Sequence, residues 1–157
     1  MSFGNDRDAL ESLPLKLMIV AVVASLSIIP AGQALEGFRN RDLVTRAQLE
    51  LESVISAAQT LMIDGPGGVR TLHLDFESSG SLAFDHLTIG DGRGGPNMSS
   101  AVLHLASGSK LIRTATEPEV WMTSESGNTL VIDTPACDLR LSAQLENRTA
   151  FVLVELV

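Results

Sequence analysis

The residues with the strongest claim to chemistry lie in one loop, Gly90-Asp91-Gly92-Arg93-Gly94-Gly95, which carries the letters G-x-G-x-x-G directly after a strand-like stretch. A phosphate loop of that kind works through backbone N–H groups at the N-terminus of a helix that follows it. Here Pro96-Asn97-Met98-Ser99-Ser100 leads into another strand pattern, so the loop reads as a flexible hairpin connection. His73, His86 and His104 have no histidine partner at i+2 or i+4 and read as exposed strand residues, not metal ligands. Asp85, Asp91 and Asp133 lack the D-x-D-x-D-G run of a calcium loop. No serine sits in a G-x-S-x-G elbow or an S-x-x-K arrangement that would supply a base. Cys137 is the only cysteine, which excludes an intrachain disulfide and a multi-cysteine metal cluster, and it reads as a small apolar residue. No catalytic, metal or cofactor site is expected, and the chain reads as a non-enzyme.

Two N-x-[ST] triplets, Asn97-Met98-Ser99 and Asn147-Arg148-Thr149, stand beside turn signals and are the candidate N-glycosylation sites of an exterior domain. The net charge of −8 and the absence of a Lys/Arg cluster exclude nucleic acid as a partner. Aromatic residues make up 4% of the chain with no Tyr, so no aromatic-lined groove is expected.

These residues must be positioned by two kinds of element. Leu17 to Leu35 holds no ionisable group, and a helix of that length covers roughly 28 Å, close to the hydrocarbon thickness of a bilayer. Ser25, Ser27 and Gln33 are tolerable there because a short polar side chain can bond back to its own helix, and Pro30 is expected to kink the helix or end its first section. Beyond Leu35 the pattern turns amphipathic: Val44, Ala47, Leu51, Val54, Ala58 and Leu61 form one stripe, widened by Leu43, Leu49, Ile55 and Met62, broad enough to cover a sheet. Asp64-Gly65-Pro66-Gly67-Gly68 stops the helix.

After Gly68 the period changes to two. Strands are expected at 69–77, 81–89, 101–106, 110–115, 119–123, 128–133, 139–146 and 149–157, the last apolar on both faces. The expected fold is therefore α+β: a leader or short cytoplasmic tail over 1–9, a long helix over 10–63 forming a membrane or filament core, a linker at 64–68, and a small antiparallel β-sandwich or barrel over 69–157.

A short polar leader, a near-uniform apolar helix, its amphipathic continuation and a small β-domain together resemble the type IV pilin-like proteins, especially archaeal pilins and archaellins. The resemblance is carried by Arg7-Asp8-Ala9 before Leu10, similar to the archaeal class III leader, and by the run Leu17 to Leu26. It implies cleavage by a prepilin peptidase between Ala9 and Leu10, an assembly platform as partner, and homo-oligomerisation into a helical filament through residues 10–63. It also implies residence in the membrane before assembly and a final place at the cell surface. The alternative with the same topology is a signal-anchored monomeric surface protein whose β-sandwich binds a sugar or protein partner. A further alternative is a secreted domain freed by signal peptidase, which the small residues Gly32 and Ala34 before Leu35 would suit.

Overall fold

The computed structural model describes the backbone of residues 6–78 and 80–157 and, of these, the side chains of all but 6–14 and 26–31. The chain divides into two compact units, Met1–Phe38 and Arg39–Val157.

One helix, α1, covers Asp6–Asp64. Pro30 falls inside these bounds and does not end the helix. The C-terminal stop follows the expected chemistry. Gly65 takes a positive φ of 91°, a conformation that costs glycine little, and its N–H donates to the Leu61 carbonyl at 3.0 Å, closing the last turn.

Eight strands follow: β1 Val69–Asp75, β2 Phe84–Ile89, β3 Ser100–Leu105, β4 Lys110–Thr114, β5 Met122–Thr123, β6 Leu130–Ile132, β7 Ala136–Glu146 and β8 Thr149–Leu156. They form two four-stranded sheets, ordered β1-β7-β8-β5 and β4-β3-β2-β6. The architecture is thus α+β, as expected. One pairing departs from an all-antiparallel design: β5 runs parallel to β8, with Met122 beside Val152 and Thr123 beside Leu153.

Both sheets and the helix section 39–64 contribute to one apolar core. From the helix come Leu43, Ala47, Leu51, Val54, Ile55, Ala57, Ala58 and Leu61; from the first sheet Leu74, Leu139, Leu141, Val152 and Val154; from the second Leu87, Ile89, Leu103 and Ile132. The three-to-four spacing of the helical residues puts them on one face, and the period-two spacing of the strands puts every second side chain inward. Two expectations fail at the edges of this face. Leu49 does not widen the stripe, being 66% exposed, because its position points it away from the sheets, and Val44 is only half-buried. Ala57, outside the expected stripe, is buried instead. β8 sits between β7 and β5, with Val152 and Val154 inward; on its outward side Phe151 is buried beside Trp121 while Leu153 is half-buried.

Candidate functional site

The described side chains of α1 from Leu15 to Ser25 are all exposed, although Leu17 to Ala24 is an unbroken apolar run. Leu17, Met18, Ile19, Val20, Val22 and Val23 are each 48–66% exposed, so every face of the helix carries uncovered hydrocarbon. Ser25 deals with its own polarity: its hydroxyl donates to the Val22 carbonyl at 2.8 Å. Among the described residues no helical stretch is long and apolar enough to cross a membrane. The expected span 17–35 includes the side chains of 26–31, which lie outside the described residues, as do the side chains of Ala9 and Leu10 at the expected leader cleavage point.

The two candidate glycosylation sites occupy different settings. Asn147 is exposed at the tip of the β7–β8 hairpin, where it and Arg148 take positive φ values of 49° and 66°, the geometry of a tight two-residue turn. The hydroxyl of its Thr149 accepts a hydrogen bond from Arg93 at 3.1 Å. Asn97 is exposed in the β2–β3 connection, but the hydroxyl of its Ser99 is buried and donates to Glu119 at 3.3 Å.

The glycine-rich loop opens into β3 and not into a helix. It is anchored, where a flexible connection was expected. Gly90, at a φ of +65°, packs so closely on the backbone of Met122 that a Cβ would run into the Met122 carbonyl. The Asp91 N–H donates to that same carbonyl at 3.1 Å, and the Asp91 carboxylate accepts the Gly92 N–H at 2.7 Å.

The three histidines fall on outward faces in two places. His73 on β1 meets Asp138 on β7 at 2.7 Å, and that hydrogen-bonded carboxylate raises its pKa. His86 and His104 pair across β2 and β3 with His86 also 3.0 Å from Asp85. Desolvation first, then the neighbouring His86 and Lys110, lowers the pKa of His104. Glu50 on α1 has its pKa raised by partial burial and by the nearby Asp75. Cys137 packs against the core, and burial raises its thiol, so the thiolate needed for reactivity is disfavoured. Asp85 and Asp133 border one shallow cleft while Asp91 is committed to its own loop, so the three do not converge. Among the described residues no group of three or more His, Cys, Asp or Glu side chains could hold a metal ion.

One arrangement contradicts the expectation from composition. Trp121 and Phe151 lie with ring centroids 5.0 Å apart and line a common cleft on the outward side of the first sheet. Trp121, the single Trp, falls inside the expected strand 119–123; its partner thirty residues away is not readable locally.

The chain matches no protein-family model, no curated protein and no solved structure.

Proposed function

We propose that the chain is a pilin-like structural subunit of an extracellular cell-surface filament, held in the membrane before assembly and then packed against copies of itself through the apolar N-terminal helix. The observation that supports this reading most is the all-round exposure of Leu17 to Ala24. A helix that is hydrophobic on every face needs a surround of lipid or of other helices, since water would leave each such side chain roughly 1.5 kcal/mol or more worse off than burial. The helix residues that the head, Arg39–Val157, uses for its own core lie further along α1, between Leu43 and Leu61. In this reading the two sheets form a compact sandwich on the filament's outside, Asn147 and Asn97 carry glycans, and the function is structural and not enzymatic. Prepilin peptidase cutting before Leu10 and an assembly platform follow from the resemblance to archaeal pilins.

Shearing surface filaments from cells and identifying their subunits by mass spectrometry tests the proposal. The chain should be present with an N-terminus at Leu10. A chain that starts at Met1 and never enters a filament would instead be a monomeric anchored surface protein, and one that starts at Leu35 would be a secreted domain.

A further inference from the structure

The outward side of the first sheet holds the chain's single tryptophan in a setting that neither the core nor the apolar helix requires. The register of β7 and β8 sets Gln144 beside Phe151, and the parallel pair sets Thr123 beside Leu153. Trp121, just before β5, leans over Phe151 at 5.0 Å with a 41° tilt, and the two rings help line a cleft of about 370 Å³. Glu125, Gln144 and Glu146 border the same cleft. All three are exposed, and their side chains make no hydrogen bond or ion pair with any described residue.

The indole is held in place. Its N–H donates to the Asp91 carbonyl at 3.0 Å, in the loop that Gly90 ties to Met122. The Arg93 guanidinium lies 6.0 Å from the ring centroid and is itself held by a hydrogen bond to Thr149. A ring oriented before its ligand arrives loses little entropy on binding.

The ligand class follows from what the cleft offers. Clefts of this size that bind small molecules combine an aromatic or apolar floor with a few placed polar groups. A pyranose ring matches both parts, because its C–H face lies flat on an aromatic ring while adjacent hydroxyls share paired hydrogen bonds with planar carboxylate and carboxamide groups. A basic side chain fits less well. Glu125 and Glu146 would attract one, but the indole already has a cation near it in Arg93, 6.0 Å from the ring centroid, so a basic group is the counter-probe in the test below. We propose that this cleft binds a saccharide, with a sugar ring against Trp121 and its hydroxyls shared among Gln144, Glu146 and Glu125.

Because Trp121 is the only tryptophan, the intrinsic fluorescence of the full chain reports on this cleft alone. The chain is kept in a detergent without a sugar headgroup and titrated with the methyl glycosides of glucose, galactose, mannose and N-acetylglucosamine, and with lysine methyl amide as the cationic counter-probe. At least one glycoside is expected to give a saturable change in emission. Calorimetry should show its affinity reduced about tenfold or more by Trp121→Ala and by Gln144→Ala, the second lying on an exposed position that folding does not depend on. The proposal is overturned by no glycoside response up to about 50 mM, by a response to the lysine amide alone, or by glycoside binding that Gln144→Ala and Trp121→Ala leave unchanged.

Discussion

His86 and His104 stack across β2 and β3 with ring centroids 4.0 Å apart and planes 18° from parallel. The groups around the pair are Asp85, bonded to His86, and Lys110, which pairs with His104 on β4. Two imidazoles in contact cannot both be charged without repulsion, and His104 is also partly desolvated, so it should titrate below its ordinary 6.5. The unfolded chain then binds more protons than the folded one near that pH. The contribution of His104 to stability is full above 6.5 and is lost as the pH falls towards its folded value. Imidazole NMR titration of the full chain checks this, and His104→Gln should flatten the fall in stability as the pH drops below 6.5. A His104 that titrates above 6.5 would refute the account.

His73 should behave in the opposite sense. Its hydrogen bond to Asp138 raises its pKa above 6.5, and Asp75 and Glu50 add to the effect. The charged form is favoured in the folded state, so its contribution is complete below 6.5 and is lost as the pH rises through the folded value. Asp138→Asn keeps a hydrogen-bonding group but removes the charge, and should bring the His73 titration back to its ordinary range. The ring is fully exposed, so the effect belongs in the titration curve and not in the melting point.

Leu51 and Leu49 are two residues apart on α1, one fully buried and the other 66% exposed. Leu51→Ala removes methyl groups from a core shared with both sheets and should cost about 2–5 kcal/mol. Leu49→Ala should change stability by no more than about 0.5 kcal/mol. Denaturant unfolding of the two variants, followed by circular dichroism, separates the two outcomes; equal costs would mean that the helix presents a different face to the sheets.

That contrast also shows which parts of the fold were readable in advance. Ala47, Leu51, Val54, Ala58 and Leu61 obey a period that only one helix face can satisfy, and Leu139, Leu141 and Ala143 obey one that only a strand can. Leu49 belonged to the same apolar list, yet hydrophobicity alone does not say where a stripe ends. The Trp121–Phe151 cleft was invisible for a different reason. Its two rings meet only because β5 joins β8 in parallel, and a parallel pairing of two residues has no local sequence signature. The letters of the glycine-rich loop give a hairpin connection, but its anchoring on Met122 depends on that same distant pairing.

Gly90 links the loop to the cleft, which makes it a sensitive position. Gly90→Ala must place a methyl group where the Met122 carbonyl stands, at a φ that disfavours any L side chain. Relief requires β5 to move, and Trp121 adjoins it, so tryptophan emission should shift and stability should fall by about 1–3 kcal/mol. Gly94→Ala is the control. Its φ of +77° carries the same conformational penalty, but a Cβ there meets nothing within 4 Å, so the loss should be about 1 kcal/mol with emission unchanged. An emission shift of the same size in both variants would show that the close approach to Met122 is not what holds Trp121.

Val20 tests the apolar helix directly. Its side chain is 63% exposed, so Val20→Asp should leave the unfolding of the 39–157 head unchanged. In a bilayer or a helix bundle the same carboxylate would have to be desolvated or protonated, at about 2.5–3.5 kcal/mol on insertion scales. Cells expressing the variant should therefore show little of the chain in sheared filaments, judged against the wild type by electron microscopy and immunoblot. Val20→Leu, which keeps the surface apolar, should assemble normally. Filaments that form at wild-type levels from Val20→Asp would mean that this stretch of α1 faces water, and the helical assembly proposed for it would fail.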